Sequence, residues 1–103
     1  METPETIETQ QTISDWANET FGDTGSNLRV AQRANEEMKE LLEHLENDDN
    51  HIKAAEECAD IFIVLYRLGV RLGVDLHAEV QRKMSVNRNR TWLKDGTGCG
   101  HHI

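Results

Sequence analysis

The sequence is poor in several residue types that define common classes of protein. Its 103 residues include one proline, Pro4, and two cysteines, Cys58 and Cys99. Two cysteines so far apart in sequence do not indicate a disulfide scaffold, so a reduced, cytoplasmic setting is the default expectation. The single proline lies outside the predicted elements, and the body of the chain is therefore free to form long helices.

Basic residues and long apolar runs are also scarce. Eleven Lys and Arg stand against nineteen Asp and Glu, which gives a formal net charge of −8. This balance argues against a nucleic-acid binder with a basic surface and against attraction to anionic lipid. The longest apolar run, residues 61–66, is far shorter than a membrane span. The acidic and polar first ten residues also predict no signal or transit peptide.

Apolar residues are few for a chain that must build its own core. They make up 37% of the sequence, and a chain of this size buries only roughly 60–70% of its unfolded surface. We therefore expect one domain over residues 1–103 whose core is shared across a homo-oligomer. The two ends, residues 1–6 and 95–103, are expected to be flexible. The sequence does not distinguish a dimer from a tetramer.

Hydrophobic periodicity predicts an all-α protein of four helices, over residues 5–21, 27–46, 51–72 and 76–89. The second helix has apolar residues at alternating steps of three and four, typical of a seam that packs on another helix. That predicted seam consists of Ala31, Ala34, Met38, Leu41 and Leu45.

The third predicted helix is apolar on nearly every side between Cys58 and Tyr66. We therefore expect it to be buried on all sides, which in a chain of this length points to a partner chain, with Cys58 as a small core residue. Residues 61–64 have strand propensity, but the helix formers before them and the total length favour a helix. The tail from Thr91 onward has the glycine-rich composition of a loop.

Two acidic pairs occur on the second and third predicted helices, Glu37 with Glu40 and Glu57 with Asp60. Their spacing of three places each pair on one helical face, and an antiparallel hairpin brings the pairs level. Four carboxylates beside apolar seams repel one another, and a divalent cation relieves that cost. All-oxygen ligands favour Mg²⁺ or Mn²⁺ over zinc. The alternative is a solvated acidic face, which does not explain Asp60 directly before six apolar residues.

A cationic face follows on the fourth predicted helix. Lys83, Asn87 and Arg90 are spaced by four and three, so they lie on the same side of the helix. Two cations and an amide suit the oxygens of a polyphosphate, which Arg binds bidentately and Lys binds as a point charge. The alternative is a set of basic residues that only stabilise the helix dipole.

The ordered set of these motifs resembles the MazG-like family of all-α nucleoside triphosphate pyrophosphohydrolases. The matching pattern is Glu37-x-x-Glu40, Glu57-x-x-Asp60 and Lys83-Met84-x-x-Asn87-x-x-Arg90. The resemblance implies a four-helix, bundle-like protomer in a dimer or tetramer. It also implies hydrolysis of NTP or dNTP to a monophosphate and pyrophosphate, with Mg²⁺ as cofactor and Mn²⁺ as the other option, in the control of nucleotide pools.

The resemblance also assigns roles to individual residues. Metal binding falls to Glu37, Glu40, Glu57 and Asp60, and phosphate contacts fall to Lys83, Asn87 and Arg90. Because no nucleophilic Ser or Cys arrangement is evident, we expect direct attack by water at the α phosphate. Glu36 is the candidate proton acceptor, with Glu40 as the alternative.

Recognition of the base is the least determined part of the sequence. Trp16 and Trp92 are candidate base-binding side chains, and the alternative for Trp16 is a core position beside Ile13 and Phe21. The glycine-rich tail either closes over the phosphates or frays. The alternative function is a non-catalytic helical homodimer that acts as an adaptor or regulatory module. That function explains the apolar seams but not the ordered charged motifs.

Overall fold

Four α-helices and a terminal β-hairpin form the described part of the chain. The computed structural model describes residues 7–23, 25–47 and 50–103. The elements are α1 (Gln10–Phe21), α2 (Asn27–Asn47), α3 (His51–Arg71), α4 (Leu76–Arg88), β1 (Trp92–Lys94) and β2 (Gly100–His102). The predicted all-α fold with four helices is confirmed. No helix in the described ranges is long and apolar enough to cross a membrane.

Side-chain caps determine where the helices begin. The Thr9 hydroxyl accepts a hydrogen bond from the Thr12 amide at 3.1 Å, and the Asp75 carboxylate accepts one from the Ala78 amide at 3.1 Å. Each cap satisfies an amide that has no partner within its own helix. The predicted start of the first helix at residue 5 was too early, because the chain becomes helical only after Thr9. Residue 5 itself lies outside the described ranges.

α2 and α3 form an antiparallel hairpin. The Arg71 Nε atom, at the end of α3, donates to Asn27 Oδ1 at the start of α2, at 2.8 Å. At the opposite end, His44 Nε2 lies 3.8 Å from Glu57 Oε1. The hairpin therefore places the middle of α2 beside the first half of α3, where both acidic pairs occur.

The α2 seam includes polar residues that periodicity did not predict. The residues of α2 that are not exposed are Val30, Ala31, Ala34, Glu37, Leu41 and His44. Three members of the predicted seam are therefore correct, whereas Met38 and Leu45 are 40% and 45% exposed. Glu37 lies in the seam in place of Met38, and His44 lies there in place of Leu45, each one residue earlier in the chain. Hydrophobicity alone could not identify a seam that contains a carboxylate.

α1 also packs on α3. Ser14 and Ala17 are the buried residues of α1. The Arg67 Nη2 atom on α3 donates to Asn18 Oδ1 at 3.2 Å and to the Gly22 carbonyl at 2.7 Å. These bonds tie the end of α1 to α3, so α3 is the central helix of a three-helix unit.

α3 is not buried on all sides within one protomer, and its further burial against a partner chain stays a prediction. Its buried residues are Ala54, Ile61 and Gly69, whereas Phe62 is 59% exposed. Cys58 is also exposed, so it is not a core residue of one protomer. α1 and α2 therefore cover only part of the surface of α3.

α4 and the terminal hairpin extend away from this unit. α4 has no buried residue, and the radius of gyration of 16.7 Å exceeds the ~13 Å expected for a compact chain of about 100 residues. The tail is not only a loop, as its composition predicted, because β1 and β2 pair antiparallel with Trp92 opposite His102. The Asp95 amide closes the hairpin on the Cys99 carbonyl at 3.1 Å.

Candidate functional site

Three carboxylates converge where α2 and α3 meet. Glu37 and Glu40 lie one turn apart on α2, and Glu57 lies opposite them on α3. One oxygen from each of the three lies within 4.8 Å of the others. The structure thus brings together three of the four acidic residues that the sequence predicted as ligands. We refer to Glu37, Glu40 and Glu57 as the acidic cluster.

Glu37 is the most buried member of the acidic cluster, with 7% of its side chain exposed. Burial and a hydrogen bond with Glu57 raise the pKa of Glu37 to about 7. Arg33, four residues earlier on α2, acts in the opposite direction, because its Nη2 atom lies 2.6 Å from Glu37 Oε1. Burial therefore disfavours the ionised form of Glu37, and nearby cations stabilise it.

Glu57 supplies an oxygen without a hydrogen-bond partner. Its Oε2 atom is buried and makes no hydrogen bond to any described residue, and its Oε1 atom faces His44. An unpartnered buried oxygen beside two other carboxylates is costly in a protein without a cation. Carboxylate oxygens are the ligands that hard divalent cations prefer. The residues of the acidic cluster therefore fit a divalent metal ion.

The two remaining acidic candidates lie outside the acidic cluster. Asp60 is exposed, although it is close enough to raise the pKa of Glu37. Glu36 points to the exposed side of α2, where its Oε2 atom lies 2.6 Å from Arg33 Nη1. Neither carboxylate belongs to the group of converging oxygens. Of the four carboxylates that the sequence predicted as ligands, three therefore converge and Asp60 lies beside them.

A cleft of about 450 Å³ opens beside the acidic cluster. It is lined by Trp16, Ala17, Phe21, Arg29, Val30, Arg33, Glu37, Asp60, Ile63, Val64 and Arg67. Trp16 and Phe21 meet edge to face with ring centroids 5.5 Å apart, and they are 52% and 67% exposed. Trp16 is therefore not a core residue of the protomer. The cleft, called the α1–α3 cleft below, joins an aromatic wall to the carboxylates.

Three arginines of this cleft were not identified from the sequence. Arg29, Arg33 and Arg67 share the α1–α3 cleft with two carboxylates, so the cleft has an excess of positive charge. Spacing held a signal for two of them, because Arg33 precedes Glu37 by one helical turn and Arg67 follows Asp60 by two. Arg67 is held in place by α1, and its Nε atom is buried without a described partner.

The predicted cationic face lies elsewhere in the protomer. Lys83 and Arg90 line a separate cleft of about 500 Å³ on α4 that shares no lining residue with the α1–α3 cleft. The Asn87 Oδ1 atom is buried without a described partner, and the Trp92 indole donates to the Asn87 carbonyl at 2.8 Å. Arg90 Nη1 lies 3.4 Å from His102 Nδ1. Because α4 packs so little on α2 and α3, one protomer does not unite both sets in one cleft.

Comparison with known proteins covers the part of the chain that contains these residues. The sequence pattern of the MazG-like family matches residues 27–101, which include every acidic and cationic candidate. A dATP/dGTP diphosphohydrolase of Salmonella phage PMBT28 is 36% identical over 90 residues, or 85% of this chain. A dATP/dGTP diphosphohydrolase of cyanophage S-2L is 32% identical over 66 residues, or 64% of this chain. The chain spans 29% and 61% of the lengths of these two relatives.

A solved structure has the same arrangement of helices. It is the cyanophage S-2L MazG-like pyrophosphohydrolase bound to dGDP and three catalytic Mn²⁺ ions per active site. The two structures superpose with a TM-score of 0.72 and 28% sequence identity, over 91% of this chain and 92% of the other. Because 91% of this chain is more than residues 27–101, the likeness in fold extends beyond the family pattern.

Proposed function

Because this chain belongs to the MazG-like family, we propose that it is a metal-dependent nucleotide pyrophosphohydrolase. The reaction is hydrolysis of an NTP or dNTP to the monophosphate and pyrophosphate, by attack of water at the α phosphate. The observation that carries the proposal is the acidic cluster, in which three carboxylate oxygens converge beside an open cleft. A non-catalytic adaptor has no need for such a costly arrangement.

Purine deoxynucleotides are the first substrates to test. Both curated relatives carry the name dATP/dGTP diphosphohydrolase, and the solved neighbour holds dGDP. We propose that the base contacts Trp16 in the α1–α3 cleft, where the exposed ring offers a face for stacking. The proposed substrate class therefore combines a purine, which stacks well, with an anionic chain that the arginines of the cleft attract.

Mg²⁺ is the proposed cofactor, with Mn²⁺ as the other option. The proposed ligands are the acidic cluster and Asp60. A bound divalent ion supplies charge neutralisation at the phosphates and a lowered pKa for water. The chain's own contribution is to hold the carboxylates together, because the α2–α3 hairpin sets their spacing. Arg33 stabilises the ionised form of Glu37 while no metal ion is bound.

The remaining polar residues have proposed roles in proton transfer and phosphate binding. Glu36 is the proposed proton acceptor because it directly precedes Glu37 in the chain and is not one of the proposed metal ligands; Glu40 is the alternative. Lys83, Asn87 and Arg90 are the proposed phosphate contacts, as the family resemblance implies.

We also propose a homodimer or homotetramer. Support comes from large apolar side chains that one protomer leaves exposed, including Leu42, Ile52 and Phe62 at 50%, 76% and 59%, and from the extended shape of the chain. Both cysteines are free and exposed, which suits the proposed location in the reducing cytoplasm. Sedimentation equilibrium measures the assembly, and a mass of 11.8 kDa at micromolar concentration would contradict the proposal.

Release of pyrophosphate tests the activity. The purified protein is given a panel of NTPs and dNTPs with Mg²⁺, with Mn²⁺ and with EDTA, beside the variants Glu57→Gln and Asp60→Asn. We expect metal-dependent formation of monophosphate and pyrophosphate, fastest with dATP and dGTP, and its loss in both variants. The same bond in dGDP yields orthophosphate. Glu56→Gln, an exposed neighbour on α3, is the matched control and should keep full activity.

Two results would contradict the proposal. Release of orthophosphate from the triphosphates means that the β–γ bond is cut. No turnover across the panel by a folded protein that also shows no stabilisation by divalent ions favours the adaptor or regulatory module instead.

A further inference from the structure

The side-chain amide of Gln10 joins α1 to the turn between α3 and α4. Its Nε2 atom donates to the Val74 carbonyl at 2.6 Å, and its Oε1 atom accepts from the Leu76 amide at 2.9 Å. Both bonds are partly buried. The Gln10 side-chain amide thus forms hydrogen bonds with two backbone groups, the Val74 carbonyl and the Leu76 amide. These two residues flank Asp75, the N-cap of α4.

The neighbouring glycine makes room for this amide. Gly69 is buried in α3, and a Cβ atom on it would lie 3.0 Å from both Nε2 and Oε1 of Gln10. This distance is shorter than an ordinary van der Waals contact, so a methyl group at position 69 would force the Gln10 amide to shift by a few tenths of an ångström. Although Gly69 lies within a helix, its lack of a side chain therefore leaves the space that the Gln10 amide occupies.

Little else in the described residues fixes the direction of α4. The helix has no buried residue, and most of its apolar side chains are half exposed. The Leu76 amide belongs to its first turn, where amides lack partners inside the helix. The two Gln10 bonds join this turn to α1, so the angle at which α4 leaves the three-helix unit depends on them.

We propose that Gln10 is a positioning residue that sets the orientation of α4. It thereby places Lys83 and Arg90 for the phosphates of the substrate, and this inference rests on the proposed function. The described hydrogen bonds of the Gln10 side chain join it to Val74 and Leu76 and to none of the proposed metal or phosphate ligands. Its role is therefore exerted through the turn that holds these two residues. Loss of the amide changes phosphate binding and leaves the acidic cluster intact.

The variant Gln10→Ala tests the proposal beside Gln11→Ala. Gln11 is an exposed neighbour whose Nε2 atom donates within its own helix, to Asp15 Oδ1 at 2.8 Å. We expect Gln10→Ala to accelerate hydrogen exchange of the Leu76 amide and to raise KM for dGTP about tenfold. kcat should change less than about twofold, and the affinity for Mn²⁺ alone should stay unchanged. Gln11→Ala should match the unaltered protein in all four measurements.

A double-mutant cycle with Gly69→Ala separates the amide contact from general loss of stability. Gly69→Ala alone should raise KM, because the new methyl group displaces the Gln10 amide. In the Gln10→Ala background the same substitution should add nothing, since the space is then empty. Additive effects of the two substitutions would overturn the proposed contact.

Other outcomes also decide the inference. A normal KM in Gln10→Ala despite faster Leu76 exchange would show that the bonds do not place the phosphate contacts. A parallel loss of Mn²⁺ affinity would show that Gln10 supports the whole fold instead of α4. If the unaltered protein hydrolyses no nucleotide, the proposed function fails, and Leu76 exchange, which needs no substrate, still decides whether Gln10 holds α4.

Discussion

Glu37 and Glu57 face each other across the α2–α3 hairpin in positions that a helical seam ordinarily gives to apolar residues. A hydrogen bond between them contributes to the raised pKa of Glu37, and an oxygen of each lies within 4.8 Å of the other and of Glu40. The pair weakens the packing of the metal-free hairpin and at the same time forms the centre of the candidate site. Stability and ligand binding are therefore opposed at these two residues.

Metal binding should stabilise the protein through this pair. We expect Mn²⁺ at a hundred times its dissociation constant to raise the free energy of unfolding by about 2.7 kcal/mol. Glu37→Gln and Glu57→Gln should lose most of that gain, because each removes a charged ligand. Chemical denaturation with Mn²⁺ and with EDTA measures the effect. Glu43→Gln, an exposed substitution on α2, should retain it; equal losses in all three variants would indicate non-specific binding.

The stability of the metal-free protein should fall as the pH rises from about 4.5 to about 7. Between the ordinary pKa of 4.5 and the folded value of about 7, the folded protein binds more protons at Glu37 than the unfolded chain does. The proton-linked stability is thus fully present below 4.5 and lost by about 7. Urea unfolding in EDTA measures the slope, which Glu37→Gln should flatten.

Other carboxylates do not account for that slope. The pKa values of Asp23 and Asp95 are lowered from 3.8 by hydrogen bonds, so their contributions are lost only as the pH falls below that value. Glu43→Gln is the control and should keep the slope of the unaltered protein. A slope that persists in Glu37→Gln would contradict the assignment.

Ser14→Ala should stabilise the protein. Ser14 is 0% exposed, and its hydroxyl has no hydrogen-bond partner among the described residues. Removal of an unsatisfied buried hydroxyl, together with a better helix former, should raise the free energy of unfolding by about 1 kcal/mol. Thermal or urea unfolding measures it. Ser85→Ala, exposed on α4, reports the propensity effect alone, and an equal gain there would remove the argument from burial.

Trp16 should contribute more to nucleotide binding than Trp92. Stacking of a base on an aromatic ring is worth about 1–3 kcal/mol, so Trp16→Ala should raise KM for dGTP about tenfold, and Trp16→Phe should restore much of the loss. Trp92 lies on β1, away from the α1–α3 cleft. Steady-state kinetics decide between them: a larger effect of Trp92→Ala than of Trp16→Ala would reverse the assignment.

Local chemistry made the helices predictable. The ends of α2, α3 and α4 lie within one residue of the predicted ends, because caps such as Asp75 and breakers such as Gly73 act on the residues beside them. The β1–β2 hairpin was missed since its strands have three residues each and a glycine-rich turn. Short strands depend on cross-strand pairing, which periodicity does not reveal.

The candidate site was only partly predictable. Spacing alone placed Glu37 and Glu40 on one face, and the hairpin then brought Glu57 to them. The arginines of the cleft escaped notice because they line it from α2 and α3 together, and no motif in the chain joins them. Likewise, the helical spacing of apolar residues in α1 does not reveal that Trp16 stays exposed, since its exposure depends on how α1 lies against α3.

By itself the sequence determined the helical class, the ends of three helices, the order of the acidic and cationic motifs and the family to which the chain belongs. These properties depend on contacts between residues close in the chain or on a pattern read along it. Only the tertiary structure decided which carboxylates converge, that Glu37 replaces an apolar residue in the seam, and that α4 stands apart with Gln10 at its base. Burial and long-range hydrogen bonds join residues tens of positions apart, and their free energies depend on geometry that no local pattern contains.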